Sequence, residues 1–289
     1  MAGVLRTDTG EIRYLWKFSL TFILLLVLIF ISRILLILAV QQAFILQGTP
    51  SDIAFQNSQV FVSESSEGQA IASSLDLLFT LLIVFFLVTR IEKRDFCLTD
   101  LGLNLQRNTL PYVGLGLVIG CALFLGAAMF GVLFGTLESP LSPNLNQWPI
   151  LSTLVASIAF YVLNSFWQEI VFRGYLQTRA VEEYGRLAGV MAVTIVFVVF
   201  HGLVQTLTLN GILTGLLLFS FIGLLYDNTR SLYLVGVIHA VLNFLPALFN
   251  TWWQGLEAII TYGIALALLV LLTRRSEQGV ELVNNRPQL

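Results

Sequence analysis

Residues 187–226, LAGVMAVTIVFVVFHGLVQTLTLNGILTGLLLFSFIGLLY, form one uninterrupted run without Asp, Glu, Lys or Arg. About 20 apolar residues are enough to cross the hydrocarbon core of a bilayer as a helix. The run is long enough for two such helices, and we expect the break between them near residues 202–211. A stretch of this kind predicts a helical membrane protein.

The composition of the whole chain supports the same class. Of 289 residues, 57% are hydrophobic and 11% are charged, with a mean hydropathy of +0.85, whereas soluble domains are about half apolar and a quarter charged. We predict an all-α, polytopic membrane protein with about eight transmembrane helices in a single membrane domain, 1–289. An extracytoplasmic polar loop is expected at about 46–69. The other six predicted spans lie near 18–45, 70–88, 108–137, 140–168, 231–256 and 258–273.

The distribution of basic residues predicts the orientation of the chain. Except for Arg33, they precede the first span or follow the second, fourth, sixth and eighth, and loops rich in Lys and Arg stay in the cytoplasm. We therefore predict that both termini are cytoplasmic, N-in and C-in, and that the protein is an integral, multi-pass protein of the cell membrane. The net charge of -2 gives no indication of a nucleic-acid partner. Cys97 and Cys121 suggest no disulfide framework.

Few ionisable residues fall inside the predicted spans: Arg33, Asp76, Glu169, His201 and His239. A charge at mid-bilayer costs roughly 2.5 to 3.5 kcal/mol, so each should face the protein interior and have a partner. The first two lie toward the outer half of antiparallel spans, and we expect them to form a structural ion pair. The others are candidates for a functional site.

The stretch WQEIVFRGY, 167–175, places Glu169 and Arg173 four residues apart, on one helical face. Such a pair would keep the carboxylate ionised or hold its rotamer. If the fourth span ended at Phe172, the pair would lie near the membrane surface, while His201 is deep in the fifth span. We therefore expect this helix to continue to about Arg179.

Two further pairs have the same spacing, Phe197 with His201 and His239 with Asn243. His201 could accept or relay a proton. His239 and Asn243 offer two neighbouring hydrogen-bond donors that suit a developing oxyanion. Phe197 is expected to contribute packing rather than chemistry.

The segments QEIVFRG (168–174), FVVFH (197–201) and HAVLN (239–243) resemble the motifs EExxxR, FxxxH and HxxxN of the CAAX prenyl endopeptidase and bacteriocin-processing family, also called the abortive-infection family. Order and spacing agree over a motif core of about 151–249. Weaker similarities occur in DLGLNL (100–105) and NTRSLY (228–233). Both histidines of the chain fall in the expected motifs.

The resemblance implies eight helices around a buried site that hydrolyses a peptide bond of a hydrophobic or lipidated peptide or protein within the lipid bilayer. In the family, the first Glu and the His of FxxxH activate a water, the HxxxN residues hold the oxyanion, and the second Glu and the Arg support the site. The candidate catalytic residues here are Glu169, His201, His239 and Asn243, with Gln168, Arg173 and Phe197 in support.

Gln168 occupies the position of the family's first Glu. An amide has no lone pair suited to accept a proton from water, so Gln168 cannot serve as the general base. Glu169 lies about 100° further around a regular helix, and it would reach the water only if the helix rotated or bulged. The chain is therefore either an intramembrane endopeptidase or a catalytically degenerate relative that acts as a scaffold or peptide-binding subunit. A proton-coupled transporter fits less well because no inverted repeat is evident.

No cofactor is expected. Both histidines with Glu169 could in principle form a His2Glu zinc site, but His239 with Asn243 suits an oxyanion hole equally well, and the resemblance implies a metal-independent mechanism. We expect any activity to survive a strong chelator.

Overall fold

The computed structural model describes residues 12–284 apart from 106, 138–142, 144–150, 204–205 and 252–254. The described chain is helical, which confirms the predicted all-α membrane class. The helices are α1 Tyr14–Leu46, α2 Ser51–Glu64, α3 Ser66–Phe86, α4 Thr109–Leu133, α5 Leu151–Glu169, α6 Thr178–Tyr184, α7 Arg186–His201, α8 Leu209–Thr229, α9 Leu232–Phe249 and α10 Leu256–Asn284.

Seven of the described helical segments are long and apolar enough to cross a membrane. The predicted fifth span corresponds to α7, which has 16 residues and is about 24 Å long, less than the roughly 30 Å of a hydrocarbon core. The polar loop predicted at 46–69 contains α2 and the first turn of α3. The N-in, C-in orientation stays a prediction.

The fourth span continues well beyond Phe172, as predicted. A π-helix, Ile170–Gln177, joins α5 to α6 without a break, so that one apolar helical segment runs from Leu151 to Tyr184. A π-turn contains one more residue than an α-turn and changes the direction of the side chains after it. Arg173 lies on this π-helix and is 0% exposed.

The most buried span is α9, which packs against α4 and α5. Gly116 and Gly120 allow α4 to approach it closely: a Cβ at these positions would lie 2.8 Å from the Leu234 carbonyl oxygen and 2.8 Å from Val241 Cβ, respectively. Small residues serve this purpose where membrane helices cross. The close packing at these glycines fixes the helix that carries the HAVLN segment.

Two contacts show that α3 and α5 run side by side in the same direction. Ser66 Oγ lies 2.6 Å from Ser157 Oγ near the start of the pair, and Tyr175 donates a hydrogen bond of 3.0 Å to Glu92 beyond its other end. Residues in the middle of α3 therefore lie at the level of the last turns of α5.

Candidate active site

The neighbours Gln168 and Glu169 face different surroundings. Glu169 is 0% exposed; its Oε1 lies 2.8 Å from His239 Nδ1 and its Oε2 lies 3.5 Å from Arg173 Nε. Gln168 instead lines a cavity that also contacts His201. The π-helix begins only after Glu169, so the two side chains diverge as on a regular helix. Of the two alternatives left by the sequence, the structure has Gln168, not Glu169, in the cavity.

This main cavity has a volume of about 550 Å³ and lies between α1, α3, α5, α7 and α9. Its wall is largely apolar and includes several polar side chains. These polar residues include Arg33, Asp76, Gln168, His201 and Asn243. A smaller side cavity of about 130 Å³ shares His201 and Asn243 and adds His239.

His201 is the last residue of α7. Its Nδ1 lies 2.8 Å from the carbonyl oxygen of Phe197. A carbonyl can only accept, so Nδ1 must carry the hydrogen, and in the neutral ring Nε2 keeps a lone pair. His201 lines both cavities, so a ligand in either cavity can contact the ring that carries this lone pair.

The ring of His239 is likewise held through Nδ1, which is directed at the carboxylate of Glu169. Its Nε2 is therefore the ring nitrogen left for the side cavity, which His239 lines. Phe197 packs against both imidazoles, with centroid distances of 4.8 Å to His201 and 5.8 Å to His239. Phe219 contacts the same two rings at 5.1 Å and 5.8 Å. The predicted packing role of Phe197 is thus to separate and orient the two histidines.

Asn243 lies one turn after His239 on α9 and lines both cavities. Its Nδ2 donates a hydrogen bond of 3.2 Å to Ser165 Oγ on α5. An amide nitrogen has two hydrogens, so one is used to hold the side chain and the other can serve a ligand.

Arg173 connects the site to α8. Its Nη1 donates to Gln177 Oε1 at 3.1 Å and its Nη2 to the Phe219 carbonyl at 3.0 Å. Gln177 in turn donates to the Gly223 carbonyl at 2.8 Å. A Cβ on Gly223 would lie 2.9 Å from Gln177 Oε1, so the absence of a side chain there allows these contacts.

The sequence analysis did not identify Ser165, Gln177 and Gly223 as site residues. Ser165 and Gln177 could have been found, because residues 165, 169, 173 and 177 recur at a spacing of four, which places polar side chains on one helical face. Gly223 could not, since its role depends on a contact with a different helix.

The predicted ion pair between Arg33 and Asp76 is confirmed, with Nη2 and Oδ2 2.6 Å apart. Both residues also line the main cavity, which the sequence did not indicate. Within the described part of the chain, Arg33 Nη1 and Asp76 Oδ1 have no hydrogen-bond partner.

A zinc site was the alternative use of the histidines. Among the described residues, no group of three or more His, Cys, Asp or Glu side chains converges as metal ligands. Glu169 and His239 contact each other directly instead.

Residues 148–245 match the family model described as Rce1-like, type II CAAX prenyl endopeptidase Rce1-like. Over this segment the chain is similar to that family. The segment covers about a third of the chain, includes all three motifs, and confirms the resemblance predicted from them. No curated protein matches the chain. The Rce1-like segment and the apolar helices agree with a multi-pass membrane protein of an intramembrane protease family.

Proposed function

We propose that this protein is an intramembrane endopeptidase that hydrolyses a peptide bond of a hydrophobic or lipidated substrate. One observation carries the proposal: residues from all three motifs, Gln168, His201 and Asn243, line one cavity. These residues come from three different helices. Packing alone does not require polar side chains to converge on a cavity wall, whereas a reaction at a peptide bond does.

In the proposed mechanism, His201 holds the attacking water through Nε2, which accepts a hydrogen bond because Nδ1 is committed to the Phe197 carbonyl. Asn243 Nδ2 and His239 Nε2 donate to the oxygen that becomes negative when water adds to the substrate carbonyl. His239 can donate from Nε2 while Nδ1 binds Glu169 only if the His239–Glu169 pair holds an additional proton. The carboxylate beside Nδ1 suits such a pair.

Glu169 is better described as a positioning residue than as the catalytic residue predicted from the sequence. It has no exposed surface and contacts His239 and Arg173. Its carboxylate therefore fixes the ring of His239, much as partner carboxylates orient histidines in other sites. This arrangement supports the family role of the second Glu.

The shape of the main cavity supports a hydrophobic substrate. Its volume of about 550 Å³ lies in the range of roughly 300 to 1,000 Å³ found for ligand sites, and a mostly apolar wall with a few convergent polar groups is typical of such sites. Leu26, Ile29 and Phe160 contribute to the apolar wall. We infer a peptide segment with apolar side chains or a lipid attached.

Cleavage of quenched fluorescent hydrophobic peptides by the purified protein in detergent tests the proposal. Wild type should cleave, and His201→Ala and Asn243→Ala should reduce cleavage to background. Ser74→Ala, a change at an exposed residue of α3, serves as the matched control and should retain activity. Activity should persist in a strong chelator. A preparation whose cleavage is unchanged in His201→Ala would contain a different peptidase, and the proposal would fail.

One observation favours the second candidate, a scaffold or peptide-binding subunit: the amide of Gln168 stands where the family has its general base. In that case wild type should bind a photo-crosslinkable hydrophobic peptide without cleaving it. Competition by unlabelled peptide would show that binding is specific. Cleavage by wild type would exclude this candidate.

A further inference from the structure

We propose that Asp76 supplies the carboxylate that position 168 lacks, and that it accepts the proton of the attacking water. The inference rests on the proposed peptidase function. Among the described residues that line the main cavity, Asp76 is the only acidic one. Its cavity also contains Gln168, His201 and Asn243. The carboxylate would thus come from α3 rather than from α5.

The register of α3 against α5 supports this position. The contact between Ser66 and Ser157 aligns the starts of the two parallel helices. Asp76 and Trp167 follow these serines by the same number of residues, and Asp76, Trp167 and Gln168 line the same cavity. A carboxylate on the adjacent helix can therefore approach the region that a Glu at 168 would occupy.

The ion pair with Arg33 leaves part of the carboxylate unused. Only Oδ2 contacts the guanidinium, at 2.6 Å, although an arginine can bind both oxygens of a carboxylate. Asp76 is 2% exposed, and its Oδ1 has no hydrogen-bond partner in the described chain. A pair that served packing alone would gain from a second hydrogen bond, because an unpaired buried oxygen is costly. Arg33 instead fixes the side chain through one oxygen, and the other oxygen is enclosed without a partner in the described chain.

The reaction then balances as ordinary hydrolysis. Water, hydrogen-bonded to His201 Nε2, transfers one proton to the carboxylate of Asp76 while its oxygen forms a bond to the substrate carbonyl carbon. The oxyanion forms beside Asn243 and His239. When the intermediate collapses, the C–N bond breaks and Asp76 returns the proton to the leaving nitrogen. The remaining acid proton passes to the released amine, which gives a carboxylate and an ammonium.

Four variants test the assignment in the peptide-cleavage assay: wild type, Asp76→Asn, Gln168→Glu and the double variant Asp76→Asn with Gln168→Glu. Asn is nearly isosteric with Asp and can still accept a hydrogen bond from Arg33, so Asp76→Asn should fold. Equal thermal unfolding midpoints and gel-filtration profiles would verify this. We expect Asp76→Asn to lower kcat by roughly 100- to 10,000-fold, the contribution of a positioned base.

The decisive result is the double variant. If Asp76 is the base, a carboxylate at 168 should restore most of the activity lost in Asp76→Asn, because it enters the same cavity from the neighbouring helix. Gln168→Glu alone should not exceed the wild-type activity, since two carboxylates in one cavity hinder each other's ionisation. A role limited to holding Arg33 would not be rescued from position 168.

The other outcomes separate the two proposals. Activity retained in Asp76→Asn, or lost there and not rescued, would overturn the role of Asp76 and leave the peptidase function standing. Activity in Gln168→Glu but not in wild type would do the same, because the site would then be competent and merely lack a base. If none of the four correctly folded variants cleaves any peptide, the peptidase function itself fails and the role of Asp76 fails with it.

Discussion

The buried polar groups are paired differently on the two sides of α5 and of the π-helix that continues it. On the side of Glu169, the carboxylate, the Arg173 guanidinium and the Gln177 amide contact one another, His239 or the carbonyls of α8. On the side of Gln168, the amide oxygen has no hydrogen-bond partner in the described chain. We call these the support side and the cavity side.

This contrast helps to distinguish structural polar residues from catalytic ones in a membrane protein. Both sides carry polar groups that are costly in a bilayer. The support side compensates most of the cost with internal partners, although Glu169 Oε2 and Arg173 Nε, 3.5 Å apart, form an ion pair without a hydrogen bond. The cavity side keeps an amide oxygen without an internal partner in the described chain. Changes on the support side should therefore act first on stability, and changes on the cavity side on activity.

The largest expected effect is on the cavity side, at His201. His201→Ala should lower kcat by roughly 100- to 10,000-fold, because the water loses the group that holds it. The midpoint of thermal unfolding should shift little, since the ring is only partly buried. Cleavage assays and unfolding curves on the same preparation measure both. A large loss of stability in His201→Ala would break the contrast.

On the support side, Arg173→Met should destabilise the protein by about 3 to 5 kcal/mol, the usual cost of leaving one member of a buried ion pair without its partner. Arg173 and Glu169 are both 0% exposed, so water cannot replace the lost guanidinium. Unfolding in mixed detergent, followed by the loss of helical circular dichroism, measures the change.

The matched control for Arg173→Met is the double variant with Glu169→Gln. Removing the charge that was left unpaired should recover part of the stability, and the recovery measures the coupling of the two side chains. Gln168→Leu provides the comparison with the cavity side, and its effect should be well below that of Arg173→Met. Equal destabilisation by both single changes would mean that the two sides of α5 do not differ.

Much of this contrast could be predicted from the sequence. The spacing of Glu169 and Arg173 indicated the ion pair, and the depth of His201 indicated that the helix continues past Phe172. Charge and spacing along one helix carry this information because side chains four residues apart share a face. The break between α7 and α8 followed from glycine and polar residues in an apolar run.

The remaining features depend on contacts between helices, which a single sequence does not specify. The sequence left open whether Gln168 or Glu169 enters the cavity, because a rotation at the π-helix would have exchanged them. The ion pair of Arg33 and Asp76 was predicted, but its place in the cavity wall follows from the register of α3 against α5. No local pattern sets that register.

A smaller effect is expected at Gly223, where α8 meets the support side. Gly223→Ala should destabilise the protein by about 1 to 3 kcal/mol, as overpacking usually does, because the new Cβ would lie 2.9 Å from Gln177 Oε1 and 3.2 Å from Arg173 Nη1. Gly114→Ala is the control: it is also in a helix, but no atom lies within 4 Å of the added Cβ. That change should be neutral or stabilise by about 0.5 to 1 kcal/mol. Equal responses in unfolding experiments would argue against tight packing at Gly223.

The smallest expected effect is at Ser165, where the two sides meet. Its hydroxyl accepts the hydrogen bond that holds Asn243, and one such bond contributes about 0.5 to 1.5 kcal/mol. Ser165→Ala should therefore lower kcat by roughly 2- to 10-fold, at 1.4 kcal/mol for each factor of ten in rate. KM should change little, because the oxyanion that Asn243 serves develops only in the transition state.

Ser157→Ala is the matched control, since this serine is also buried on α5 but bonds to Ser66. If both changes lower kcat equally, the effect comes from α5 packing and the hydroxyl of Ser165 does not position Asn243; a loss confined to Ser165→Ala would link a support contact to the chemistry of the cavity.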